Sequence, residues 1–228
     1  IDIENKKNFV TDLYKILKKI SNANDIEITL AVITGLKKFF LLENLDKAFY
    51  FIRPEIANLS KSEELYDNLK NEIINKNDLF SFMKIEKTIN TLVKQHQPHN
   101  NTPVIGIIGD SYSMLEPFSH QNTDKMLGSL GLICDRWLIN PWINKKKTKK
   151  INVESFIKNN YGSLMKKEIK KTSLYLQKDY DGLVFISPFT CNPCDALKTQ
   201  LATIQSVSQI PVISLSFDSH TSTTGLQS

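Results

Sequence analysis

Two thiols, Cys191 and Cys194, stand three positions apart just after the apolar run 183–186. The run reads as a buried strand that Pro188 ends, and Ala196-Leu197 opens a helical pattern, giving a helix expected over 195–206. A strand that hands two thiols to the start of a helix is a place for chemistry. Unpaired backbone N–H groups and the helix dipole favour thiolate there, the form that ligates iron or zinc and attacks disulfides. Four readings are open. An iron–sulfur cluster needs three or four soft ligands, so this pair would need others from elsewhere. Zinc sites show two such pairs or added histidines at set spacing, and His96, His99, His120 and His220 have no such spacing. A thioredoxin-like dithiol belongs to a smaller fold, and here Pro193 lies between the cysteines. The fourth reading is two small, partly buried residues with no role. Cys134, inside another apolar run, reads as a small buried hydrophobe.

The elements that must position these thiols alternate. Residues 104–109 read as a buried strand, 110–121 as a long loop, and 122 or 123 to 130 as a helix closed by Gly131. A second strand is expected from 132 to about 138, a long amphipathic helix from 153 to about 177, the third strand at 183–186 and the fourth at 211–215. Alternating strand and helix predicts an α/β fold, a four-stranded parallel doubly wound sheet of flavodoxin-like or Rossmann-like type, with strand order 2-1-3-4. Ligands in such sheets sit outside the carboxyl ends of the strands where the order reverses. That crevice is expected to be lined by Gly109, Asp110, Tyr112, Asn122, Ser187, Asp218 and His220 beside the two thiols. Before the sheet, 1–98 is nearly free of strand signal. Helices are expected at 9–20, at 27–44 continuing to 52 where Pro54 stops it, from a cap at Ser60 or Ser62 to 74, and at 79–95. Residues 99–103 read as a linker and 104–228 as the α/β domain.

The bulk figures set bounds. A hydrophobic share of 41% and a charged share of 23% are those of an ordinary globular chain. No apolar run reaches the roughly 18–20 residues of a membrane span, so no membrane association is expected. Much of the net charge of +5 sits in the lysine run 145–150, which has no stacking aromatics interleaved; a solvated loop is expected, and no nucleic-acid partner. Three cysteines with no secretion signal suggest a reducing compartment, the cytoplasm. The chain starts without Met and reads as an excised piece. No Gly-x-Ser-x-Gly, Walker, Gly-x-Gly-x-x-Gly or His-Glu-x-x-His pattern occurs, so no residue is assigned a catalytic role.

Several stretches agree in order and spacing with one family. They are Ile52-Arg53-Pro54-Glu55, then 104–112 ending Gly109-Asp110-Ser111-Tyr112, then Pro117-Phe118 with Asn122, and Trp142. Near the end come Ser187-Pro188-Phe189-Thr190-Cys191-Asn192-Pro193, Asp218-Ser219-His220-Thr221 and Gly225. Together they resemble the 2-hydroxyacyl-CoA dehydratase D-component-like proteins, also called acyl-CoA dehydratase activase-related proteins. The resemblance implies an iron–sulfur electron-transfer or dehydratase-like component, with Cys191 helping to hold a [4Fe-4S] cluster. It implies an ATP-dependent activator or a dehydratase subunit as partner, and an acyl-CoA as ligand. It also implies that the chain is cut at both ends, with further cluster ligands upstream, and is inactive alone. Two departures stand out: Cys194 replaces the usual acidic residue, which would add a second thiolate, and Ser219 replaces a Glu. The alternative is a metal-free binding or scaffold module that holds a CoA ester or another anion at the sheet's C-terminal edge. A thiol–disulfide switch through Cys191 and Cys194 is a third reading.

Overall fold

The computed structural model describes residues 6–56, 58–96, 101–136, 172–177 and 180–218. The chain divides into two units, one of 1–52 with 56–97, the other of 53–55 with 98–228.

The first unit is helical because its apolar residues recur at helical spacing and its polar residues close the helix starts. Helix α1 (Lys6–Ile20) half-buries Val10, Leu13 and Leu17 and turns Lys15, Lys18 and Lys19 outward. Asn24 starts α2 (Asp25–Ile52): its Oδ1 accepts from the N–H of Ile26 (3.1 Å) and Glu27 (2.9 Å). The Glu27 carboxylate accepts in return from the Asn24 N–H (2.9 Å), a reciprocal cap. The helix then runs unbroken through Asn44, with no bend ending it, and Pro54 follows in a short 3-10 turn, Arg53–Glu55. Helix α3 (Leu59–Asn75) starts earlier than expected, because Asn58 caps it through the Lys61 N–H (3.2 Å). Neither Ser60 nor Ser62 is the cap, and Ser62 is buried in the helix. The two glutamates after Ser62 suit a first turn, but Asn58, which caps as well as serine, lets the helix start four residues upstream. Asp78 caps α4 (Leu79–Gln95) through the Ser81 N–H (2.8 Å). The core of this unit joins Leu41, Leu45, Phe49 and Ile52 of α2 to Leu69 and Ile73 of α3 and Phe82, Ile85 and Ile89 of α4.

The second unit is α/β. Strands β1 (Val104–Gly109), β2 (Ile133–Arg136), β3 (Gly182–Pro188) and β4 (Val212–Phe217) form one all-parallel sheet in the order β2-β1-β3-β4. The expected fold is the observed one. Central β3 is buried from Gly182 to Ser187, as a strand covered on both faces must be. Between β1 and β2 the chain forms α5 (Ser111–Leu115) and α6 (Thr123–Ser129). The first of these occupies part of the expected loop. Helical residues 172–177 form α7, and α8 (Asn192–Ser208) joins β3 to β4. Tyr180 donates from its hydroxyl to the Asp135 carboxylate, and the Tyr175 hydroxyl donates to the Asp135 carbonyl (3.0 Å). Burial and the neighbouring Asp135 charge push the Tyr180 phenol above its ordinary range. The lysine run, Trp142, most of the expected helix 153–177, residues 137–138, His220 and Gly225 lie outside the described residues.

Candidate functional site at the carboxyl edge of the sheet

The order of the strands puts the switch point between β1 and β3, where connections leave in opposite directions. Gly109 and Ile186 are partners in register there, and the Asp110 N–H donates to the Ile186 carbonyl (3.0 Å). Gly109 has a φ of +140°, and a Cβ on it would lie 1.8 Å from that same carbonyl oxygen. Only glycine permits both the dihedral and the approach. The two strand ends are thus held against each other by a residue without a side chain.

Asp110 is less available than expected. Its Oδ2 accepts from the Ser113 N–H (2.9 Å) and hydroxyl (3.0 Å), capping α5. Around it are solvent-facing apolar groups: Tyr112 is 69% exposed and Phe118 87%. The loop from 116 then winds through two left-handed residues, Gln121 (φ 50°) and Asn122 (φ 55°). Asn122 starts α6 through its carbonyl, which accepts from the Lys125 (2.9 Å) and Met126 (3.1 Å) N–H groups. Its side chain is exposed and makes no cap bond.

The β3 side carries the thiols. Helix α8 begins three residues before the expected Asp195, so Cys191 is its N-cap and Cys194 falls in the first turn. Proline at 193, which sets the pair apart from a thioredoxin-like dithiol, is a first-turn proline of the kind that starts helices. The Cys191 carbonyl accepts from the Asp195 N–H (2.8 Å), while its side chain makes no cap bond. Cys191 is half-buried and Cys194 is buried; Cys134, Cys191 and Cys194 form no disulfide. Cys134 is apart from them, in β2, with its thiol near the Asp124 carbonyl (3.9 Å). Burial, reinforced by the Asp124 charge, pushes that thiol far above the ordinary range. It is a poor source of thiolate.

Ser187 is wholly buried, and among the described residues its hydroxyl has no hydrogen-bond partner. It pairs in register with Ser216, whose Oγ accepts from Lys198 Nζ of α8 (2.8 Å). Partners in adjacent parallel strands share a face, so Ser187 lies on the face that α8 covers. Asp218, just past β4, is exposed at the same edge. Gly109, Asp110, Ser187, the thiol pair and Asp218 therefore come together at one edge, while Asn122 belongs to the start of α6.

A buried polar cluster beneath α6 carried no such expectation. Arg53 Nη1 lies 3.4 Å from Asp124 Oδ2, with side chains 2% and 13% exposed. Gly128 leaves the space: a Cβ there would stand 2.8 Å from the Arg53 Cβ. His120 is also buried; its Nδ1 accepts from the Thr123 N–H (3.2 Å) and lies 3.8 Å from Asp124 Oδ1. The one hint in the sequence was an arginine at a helix stop, which says nothing of its partner 71 positions on. Burial holds the His120 imidazole below its ordinary 6.5, against the pull of Asp124. The unfolded chain, with an ordinary imidazole, therefore takes up a proton before the folded chain does. Stability is full above about pH 6.5 and falls as pH drops towards the folded value. Denaturant melts at pH 8 and pH 5 are expected to show a loss on acidification that is smaller in His120→Gln than in the parent. Equal losses would remove His120 as its cause.

The donor set sets a limit on metal chemistry. Among the described residues no group of three His, Cys, Asp or Glu side chains is placed to hold a metal ion. Cys191 and Cys194 alone do not fit a complete [4Fe-4S] cluster, which takes four thiolates. Also among the described residues, no helix is long and apolar enough to cross a membrane. Fold and edge together define the class: a doubly wound α/β protein with its candidate site at the β1/β3 switch point. Compared with protein families and with curated proteins, the chain finds no matching family model and no matching curated relative.

Proposed function

We propose that the chain is a component of a 2-hydroxyacyl-CoA dehydratase and activator system, one that contributes a thiolate ligand and not a complete active site. The supporting observation is the Cys191 side chain: a free, half-exposed thiol at the start of α8, spent on no cap bond, at the edge where doubly wound sheets bind ligands. The resemblance in motif order supplies the rest of the reading. Cys191, with Cys194 behind it, would provide part of the ligand set of an iron–sulfur cluster. The remaining thiolates would come from residues outside those described. Partners on this reading are an ATP-dependent activator or a dehydratase subunit, in the cytoplasm. The full-length protein, reconstituted anaerobically with iron and sulfide, is expected to lose most of its bound iron and its visible charge-transfer absorption in Cys191→Ser. Unchanged iron content and spectrum would sink the ligand role.

A second reading is favoured by the unpartnered Ser187 hydroxyl: a metal-free module that binds an anionic ligand such as a CoA ester at the same edge. A thermal shift with a CoA ester that survives Cys191→Ala and Cys194→Ala is its expected result. No shift in the parent protein would remove it.

A further inference from the structure

We propose that Cys191 and Cys194 are a redox pair: Cys191 exchanges with a disulfide from solution, and Cys194 closes the intramolecular bond behind it. They do so when no metal holds them, so the pair does not depend on the cluster reading.

Spacing and the helix start set the geometry. The Asp195 N–H donates to the Cys191 carbonyl (2.8 Å), which closes the first turn of α8 around both cysteines. Pro193 belongs to the same turn and favours its helical form. Residues three apart in such a turn have Cα atoms about 5 Å apart, inside the roughly 4.4–6.8 Å that a disulfide spans. They also lie on one side of the helix. Burial identifies that side: Cys194 begins an inward row with Leu197, Leu201 and Ile204, all of them buried. Cys191 continues the row one step back, where it comes out at the carboxyl edge of the sheet. It is half-buried between the exposed Thr190 and Asn192, and its side chain makes no cap bond. A small disulfide in solution therefore meets Cys191 first, while Cys194, 7% exposed, is sheltered behind it. An accessible thiol beside a resolving one is the arrangement that thiol exchange uses.

The exchange balances with a low-molecular-weight disulfide such as oxidised glutathione. The Cys191 thiolate attacks one of its sulfurs, forming a mixed disulfide and expelling a glutathione thiolate. The Cys194 thiolate then attacks the Cys191 sulfur and expels the second glutathione. Two cysteine thiols are oxidised, one disulfide takes up the two electrons, and the cysteine protons pass to the two leaving thiolates. Cys134 takes no part. It pairs in register with Ile105, and Ile105 with Gly182, the first residue of β3. That places it at the opposite end of the sheet, about 20 Å along the strands from the thiol pair.

The test is incubation of the full chain with oxidised glutathione and EDTA at about pH 8, where thiol exchange is fast. The parent is expected to lose two of its three titratable thiols. The new disulfide should lie inside the tryptic peptide 179–198, which carries both cysteines, with Cys134 left reduced in peptide 126–136. Reduced glutathione should restore both thiols. Cys194→Ser is expected to stop at a glutathione adduct on Cys191. Cys191→Ser is expected to form neither adduct nor disulfide in the same time, because Cys134 and Cys194 are buried. A parent that keeps all three thiols, or that stops at the adduct, overturns the pairing. An adduct forming on Cys194 in Cys191→Ser as fast as on Cys191 in Cys194→Ser overturns the order of attack. If a variant does not fold, the parent's peptide map still decides, since a bond from Cys134 to either thiol overturns the proposal. Iron content after anaerobic reconstitution is a separate readout. Iron held through Cys191 in a chain that forms no disulfide removes this inference and leaves the cluster reading; a disulfide with no loss of iron in Cys191→Ser does the reverse.

Discussion

Gly109→Ala is expected to abolish cooperative folding of the α/β unit. The added Cβ would lie 1.8 Å from the Ile186 carbonyl oxygen and 2.7 Å from its carbon, both backbone atoms of the central strand. Relief by rotation is closed, because a φ of +140° is a region that residues with a Cβ rarely enter. Relief by separation would break the Asp110–Ile186 hydrogen bond and part β1 from β3 at the switch point. We expect a loss above about 4 kcal/mol, a large part of the roughly 5–15 kcal/mol that holds a domain together. Gly131→Ala is the control. Its φ of +80° is also left-handed, but a Cβ there meets nothing within 4 Å, so only the dihedral cost of about 1 kcal/mol applies. Thermal melts followed by circular dichroism separate the two. A Gly109→Ala protein that melts cooperatively within about 3 °C of its parent would show that the strand ends need no such closeness.

The second large effect is at the buried ion pair. Arg53→Ala is expected to cost about 3–5 kcal/mol, because the Asp124 carboxylate, 13% exposed, keeps its charge while losing its counter-charge. It also leaves a hole beside Gly128, which has no side chain of its own to fill it. Arg53→Met with Asp124→Leu removes both charges at similar volume and is expected to recover most of the loss. Equal destabilisation by the single and the double change would locate the effect in packing and not in charge. Since Arg53 and Asp124 stand 71 positions apart and Gly128 four beyond, the cluster ties the 3-10 turn 53–55 to the start of α6.

Such pairs mark the boundary of what could be read from the chain alone. The α/β class, the four parallel strands and their order all follow from apolar runs separated by helical spacing, because a right-handed crossover leaves few ways to arrange them. Cys191 and Cys194 were legible as a pair at the start of a helix for the same local reason. Their difference was not. The helix begins at Asn192 and not Asp195, which makes Cys191 the half-buried cap and sends Cys194 inward. A three-residue change of start turns a helix by most of a revolution, so exposure at a helix end is beyond a periodicity argument.

Asp110 was expected in a long loop lining the ligand crevice; a five-residue helix in that loop makes it a cap. Short helices leave little periodic trace, because one turn shows no repeat. His120 and Arg53 are polar residues that the sequence assigns to loop and helix end, and only packing buries them together. Ser187 is the sharpest case. Its place at a strand end put it in the expected crevice. That its hydroxyl is buried without a partner on the face of α8 is a property of four strands and a helix brought together. Local patterning determined which elements form and in what order they stack. Tertiary structure decided which polar groups are spent on caps and pairs and which are left open, because hydrogen-bond partners and burial are set by residues distant in sequence.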